Sequence, residues 1–284
     1  FEVAEAADDG GDNFQVDAIR IEGTSMNDTT ELIALEGLSL VAAFKSPLVD
    51  AAIQHFQNRI AALGGQAIPV KEQADGHSLI VGGPAPADAQ SHETLLPFQR
   101  EESFYLSFDN GNLIASGLGE MGAVYALSEI ETRLRIVDGK LFVAAPAWTD
   151  VNGVKTYFSK PAFEMRGEYI NVGYNEKGVT PHEWTREQWN YYVDQLVLAK
   201  LNRLCFYIWV DTFTMYPGSE LSKNPLNRKM HEDWQYVIDY AHQRGLKVTY
   251  MICGTMIPRD LWLAHPEYKA DIVYAEHGFT AVCP

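Results

Sequence analysis

The chain has 284 residues, 46% hydrophobic and 21% charged, a globular composition long enough for one large domain or two ordinary ones. Its formal net charge is −16, from 38 acidic and 22 basic residues, which repels nucleic-acid phosphates and anionic lipid and argues against both as partners. No apolar run reaches the roughly 18 residues of a membrane-spanning helix.

The chain opens on Phe1 with an acidic, Gly-containing run to Asn13, which reads as the loose start of a mature protein. A secreted or periplasmic location is the expectation, and the triplet Asn27-Asp28-Thr29 fits an N-glycosylation acceptor. Residues 1–37 are read as an N-terminal extension. Leu38 to Phe44 predicts a strand. Pro47 opens a helix carrying Val49, Ile53, Phe56, Ile60 and Leu63 at helical spacing, stopped by Gly64-Gly65. Short strands follow at Ala67 to Val70 and Ser78 to Val81. Phe104 to Phe108 and Leu113 to Ser116 form a hairpin about Asp109-Asn110-Gly111-Asn112, whose Asn and Gly suit a turn with positive φ. Gly119 to Arg135 reads as a helix with Met121, Val124, Tyr125, Leu127 and Ile130 on its inner face. The order β-α-β-β-β-β-α predicts a compact α/β unit over residues 38–150.

Near residue 150 periodicity lapses and Pro146, Gly153 and Pro161 punctuate the chain, which places a domain boundary there. Phe163 to Val172 then predicts a strand and Arg186 to Leu201 a helix. Arg203 to Val210 is a nearly continuous apolar strand, Asp233 to Arg244 a helix stopped by Gly245, and Leu246 to Cys253 a third buried strand. Pro258 to Ala264 reads as a short helix. Apolar strands alternating with helices mean parallel β/α units. The expected fold is α/β: a small accessory domain, then over residues 151–284 the first units of an incomplete (β/α)8 barrel. Cys205, Cys253 and Cys283 lack metal or disulfide spacing and read as buried free thiols.

In such units the ligand lies at the C-terminal tips of the strands. Arg166, Glu168 and Asn171 lie on the first strand, Tyr207, Trp209 and Asp211 on the second. Aromatic rings beside carboxylate, amide and guanidinium groups are what a sugar needs, through stacking and bidentate hydrogen bonds. These six are the candidate substrate-binding residues. Arg166 has the alternative of pairing with Glu164 or Glu168 at the barrel floor, and Trp209 that of core packing. His182 and His231 precede Glu but the second His of HExxH is replaced by Arg186 and Gln235, so a zinc site is not read. The run Gly117 to Gly122, GLGEMG, departs from GxGxxG, and Glu120 would repel a pyrophosphate. No Walker or GxSxG motif occurs, and no cofactor is expected.

Ile114-Ala115-Ser116-Gly117 through Met121-Gly122-Ala123-Val124-Tyr125-Ala126-Leu127 resembles the strand-to-helix motif of the accessory domain preceding the barrel in β-hexosaminidases and α-glucuronidases. Phe163-Glu164-Met165-Arg166-Gly167 is similar to the opening strand of their barrels, and Ala199-Lys200-Leu201-Asn202-Arg203 to their helix-to-strand junction. The resemblance implies a zincin-like accessory fold without metal chemistry and a glycoside hydrolase acting on an oligo- or polysaccharide. It implies a sugar contact for Arg166 and a place beside the site for Asp211. The hexosaminidase H-x-x-D-D is replaced by Tyr207-Ile208-Trp209-Val210-Asp211. In these families the catalytic carboxylates follow later strands, and a full barrel needs about 250 residues. They are therefore expected beyond Pro284, with a continuation or a second chain completing the barrel. A non-catalytic carbohydrate-binding protein and a different β/α-barrel enzyme, such as a lyase or isomerase, remain the alternatives.

Overall fold

A computed structural model describes residues 30–83, 94–172, 181, 184–208, 225–252, 256–258, 263–274 and 279–282. It is a mixed α/β structure of four sheets and, among the described residues, no closed barrel. Strands β1 (Leu32–Ala34), β6 (Leu134–Val137) and β7 (Lys140–Ala144) form a small antiparallel sheet in the order β1-β7-β6. The main sheet has the order β2-β3-β5-β4-β9-β8. Its members are β2 (Ser39–Ala42), β3 (Ser78–Val81), β4 (Phe104–Asp109), β5 (Asn112–Gly117), β8 (Thr149–Val151) and β9 (Val154–Ser159).

Strands β2, β3 and β5 run parallel, while β4, β9 and β8 pair antiparallel. The β4–β5 hairpin turns where the sequence places it, with Asn110 at φ 47° and Gly111 at φ 79°. The predicted strand at Ala67–Val70 is reduced to one bridge between Leu40 and Val70. Because β9 hydrogen-bonds to β4 from Phe104↔Ser159 to Phe108↔Lys155, the accessory sheet extends to Ser159, past the boundary expected near residue 150. Short polar strands carry little period-2 signal, and this hairpin escaped the sequence reading.

Helix α1 (Pro47–Ala62) starts as its sequence demands: Ser46 accepts from the Val49 N–H at 3.1 Å and Pro47 occupies the first turn. Helix α2 (Pro97–Glu102) was not foreseen. Helix α3 (Glu120–Thr132) is buried continuously from Met121 to Glu131. Gly122 permits this, since a Cβ there would overlap the Ser103 carbonyl oxygen. A helix buried on every side needs cover on both flanks. One flank is the main sheet with α1. The other is α4 (Arg186–Leu198), whose Thr185–Gln188 capping box fixes its start.

Beyond α3 lie three parallel strands, β10 (Gly167–Val172), β11 (Arg203–Ile208) and β12 (Lys247–Ile252), with α4 and α5 (Pro225–Gln243) as crossovers. Helix α5 begins eight residues before the predicted Asp233. A second antiparallel sheet joins β13 (Met256–Pro258), β14 (Lys269–Tyr274) and β15 (Phe279–Val282) in the order β13-β15-β14. Of the short helix expected from Pro258 to Ala264, Pro258 is the last residue of β13, residues 259–262 lie outside the described residues, and residues 263–264 are helical. A single apolar cluster runs from Ile33 and Phe56 through Tyr125 and Ile130 to Trp189, Phe206 and Leu246. The accessory unit and the β/α units therefore share one core.

Polar groups at this seam are closely matched. The Arg166 guanidinium pairs with the Glu102 carboxylate and donates from Nε to the Lys200 carbonyl at 3.0 Å and from Nη1 to that of Phe163 at 2.6 Å. Asn202 donates to Glu102 at 2.9 Å and to the Glu164 carbonyl at 2.7 Å, and accepts from the Arg166 N–H at 3.0 Å. The Tyr125 hydroxyl donates to the Leu201 carbonyl at 2.9 Å; burial, then the Glu102 charge, pushes its phenol above the ordinary range. Lys200, with φ at 57°, reaches Glu129 at 2.6 Å, and Arg133 reaches the same carboxylate at 2.7 Å.

Two outcomes follow from this seam. Glu102→Ala leaves the Arg166 guanidinium buried and unpaired, a loss of about 3–5 kcal/mol, whereas Tyr125→Phe loses one hydrogen bond, about 1 kcal/mol; urea titration of the two variants checks the order. Burial works against ionised Glu129, but the hydrogen bond and charge of Lys200, joined by Arg133, outweigh it and hold its carboxyl below the ordinary glutamate value of 4.5. That stability is present above pH 4.5 and is lost as pH falls through the lowered value. Melting curves on acidification below that point should fall less steeply for Glu129→Gln than for the parent chain.

Candidate functional site

In β10–β12 the register aligns Gly167, Arg203 and Lys247, then Glu168, Leu204 and Val248, and so on to Val172, Ile208 and Ile252. Successive rows face opposite sides. One face carries Leu204 and Phe206, both fully buried, together with Ile170, Val248 and Tyr250. It packs on α4 and α5 through an aromatic cluster in which Trp189 and Trp234 flank Phe206 at ring-centre distances of 5.9 and 4.7 Å. Trp184 and Tyr192 extend the cluster.

The other face corresponds to a barrel interior. It carries Gly167 and Tyr169 on β10, Arg203 and Cys205 on β11, and Lys247, Thr249 and Met251 on β12. Arg203 donates to the Thr249 hydroxyl at 2.9 Å. Tyr169 and Met251 on this face are 52% and 54% exposed. Cys205 is a free thiol and only half-buried, more accessible than the sequence suggests. Cys253 and Cys283 lie outside the described residues.

The six predicted contacts divide among three places. Arg166 precedes β10, at the N-terminal ends of the strands, with its guanidinium in the seam. Its carboxylate partner there is Glu102, where Glu164 or Glu168 had been the alternative. Glu168 lies in the row of Leu204 and Val248, on the helix side. Tyr192 on α4 senses it: burial first, then the Glu168 charge, raises that phenol above its ordinary range. Strand parity thus sets Glu168 in the same row as Leu204 and Val248. Asn171 and Tyr207 pair in register toward the C-terminal ends of β10 and β11, and their side chains lie outside the described part. Trp209 and Asp211 lie outside the described residues altogether.

A cleft of about 240 Å³ opens at the seam, lined by Glu102, Phe104, Tyr125, Lys160, Arg166 and Lys200 among others. Its carboxylates already have cations: Glu102 has Arg166, and Glu129 has Lys200 and Arg133. The N-terminus of α3, where GLGEMG had been tested as a phosphate loop, is occupied by Glu101, which accepts from the Met121 N–H at 3.3 Å. Among the described residues no cluster of three or more His, Cys, Asp or Glu side chains is placed to hold a metal ion, and no helix is long and apolar enough to cross a membrane. The seam residues Glu102, Glu129 and Asn202 were missed as a unit. Their signal was present in the motif residues Tyr125, Arg166 and Lys200-Leu201-Asn202, which turn out to meet one another.

No protein-family model and no curated protein matches the chain. Solved structures do. An N-acetyl-β-hexosaminidase of Streptomyces plicatus in complex with thio-NAglucal superposes with a TM-score of 0.59 at 13% identity, over 89% of this chain and 50% of that one. The GH20 β-N-acetylhexosaminidase of Streptomyces coelicolor A3(2) gives 0.57 at 13%, over 89% and 51%. A GH138 enzyme targeting pectin rhamnogalacturonan II gives 0.54 at 15%, over 84% and 35%. The chain thus spans about half the length of these proteins or less. At such identities the likeness is one of fold: the chain shares the α/β architecture of part of these glycoside hydrolases.

Proposed function

We propose that the chain belongs to a glycoside hydrolase acting on an oligo- or polysaccharide, with the sugar received at the C-terminal ends of β10–β12. The observation that carries this reading is the position of the seam. The accessory unit is bonded to the N-terminal ends of the strands, through Arg166, Asn202 and Leu201, so the end at which β/α units receive ligands is left to the substrate. The fold likeness to carbohydrate-cleaving enzymes supports the same reading.

Within it, Asn171, Tyr207, Trp209 and Asp211 are the sugar contacts. The rings stack on C–H faces, and the amide and carboxylate take hydroxyls. Arg166 and Glu168 hold the scaffold. An exported, glycan-rich setting suits such an enzyme. Hydrolysis in the ordinary way needs two carboxylates flanking the glycosidic bond. The described interior face carries none: its side chains are Tyr169, Arg203, Cys205, Lys247, Thr249 and Met251. The hydrolytic groups are therefore assigned to segments other than these strands. The same observation favours, as a second reading, a carbohydrate-binding role without hydrolysis.

Glycan-array binding and hydrolysis of aryl glycosides by the protein separate the readings. Binding with turnover supports the hydrolase, binding without turnover the second reading, and no glycan bound at all defeats both. Trp209→Ala and Asp211→Ala should each weaken binding about tenfold or more, the scale of a lost stacking or charged contact, with the melting point unchanged. Arg166→Ala should instead lower the melting point.

A further inference from the structure

The described interior face of β10–β12 carries two cations and no acid. Arg203 on β11 and Lys247 on β12 stand side by side in one row, and their neighbour in that row on β10 is Gly167, which has no side chain. Lys247 is exposed, and among the described residues its ammonium has no ion pair. Arg203 is half-buried and, among the described residues, pairs with no carboxylate. Its Nη1 donates to the Thr249 hydroxyl at 2.9 Å, while its Nε is buried and makes no hydrogen bond. Arg166 and Arg244 differ on both counts. Each of them has a carboxylate, and their Nε atoms donate to the Lys200 carbonyl at 3.0 Å and to Asp194 at 2.8 Å. In a chain of 38 acidic and 22 basic residues, a cationic row without an acid runs against the composition.

We propose that Arg203, Lys247 and Thr249 form a binding site for a small carboxylate at the starts of β11 and β12. Thr249 holds Nη1 and so orients the guanidinium, which leaves the edge formed by Nε and Nη2 to a ligand. That edge matches the two oxygens of a planar carboxylate, and Lys247 adds a second positive charge from the next strand. A half-buried cation with an unmet donor is costly; a ligand carboxylate supplies both the counter-charge and the acceptor. Two residues further along β11, on the same face, lies Cys205, with Tyr169 and Thr249 on either side of it in its row. The rest of the ligand lies along this row. The inference does not rest on the glycan reading.

Cys205 supplies the probe. Successive residues on one face of a strand are about 7 Å apart, so a carboxylate held by Arg203 brings the methylene carbon of iodoacetate to the thiol, where sulfur takes that carbon and iodide leaves. The rate of Cys205 alkylation by iodoacetate relative to neutral iodoacetamide, followed by peptide mass mapping, should be roughly tenfold higher in the folded chain than in the urea-unfolded chain. The iodoacetate rate should saturate and should fall when acetate is added. Arg203→Gln and Lys247→Gln should each remove most of the preference; if the first fails to fold, Lys247→Gln, at an exposed position, keeps the test. Equal ratios in the folded and unfolded chain, or a preference that the variants retain, would overturn the site. If Cys205 reacts with neither reagent, the Nε–H resonance of Arg203 decides: a saturable shift with acetate but not with chloride supports the site, and no shift overturns it. Glycan binding that persists while these signals fail removes this site alone and leaves the proposed function standing.

Discussion

The placement of the β/α units rests on the Glu102 carboxylate. One of its oxygens takes the Arg166 guanidinium and the other the Asn202 amide. Those two residues sit at the starts of adjacent parallel strands, and Asn202 also takes the backbone N–H of Arg166. A single acidic side chain on α2 thus fixes the starting level of β10 relative to β11, and both relative to the accessory sheet. The backbone continues the same pattern: the Asn202 carbonyl accepts from Lys247 N–H at 2.9 Å and sets β12. Buried charge is costly unless paired and hydrogen-bonded throughout. Here each oxygen of the carboxylate has a directional partner, and so the cluster specifies position as well as contributing stability.

The alternation of strand and helix from residue 163 onward was legible because its strands leave nearly continuous apolar runs such as Leu204 to Ile208, and its helices a 3.6-residue period. The β4–β5 hairpin was legible from Asn110-Gly111. The β8–β9 hairpin was not, since Thr149–Val151 and Val154–Ser159 are short, mixed in polarity and dependent on β4 for their order. The site was less legible than the fold. Arg166 and Glu168 were placed by type and proximity; the structure adds that one lies at the N-terminal end of its strand and the other in the row of Leu204. Sequence shows that a residue is polar on a strand. Parity and end are fixed only by register with neighbours.

The sequence motifs gain a physical meaning in the same way. Gly122 lets α3 approach β4, Tyr125 projects from α3 to the Leu201 carbonyl, and Lys200 turns through a left-handed conformation while its ammonium reaches Glu129. These residues come from three separated segments, and they describe one joint. A resemblance carried by such residues speaks to how the two units are assembled. It says less about what the assembled protein does, because those motifs are remote from the C-terminal ends of the strands.

Helix α3 is covered along its whole length, by the accessory sheet and α1 on one flank and by α4 and the strand junction on the other. Such a helix belongs equally to both neighbours. Its residues cannot drift to suit one partner without disturbing the other, so the accessory unit and the β/α units are bound to evolve as a pair. A recombination event joining this accessory unit to an unrelated barrel at the 160–166 linker would carry over α3 with half of its surface cut for a partner that is no longer there.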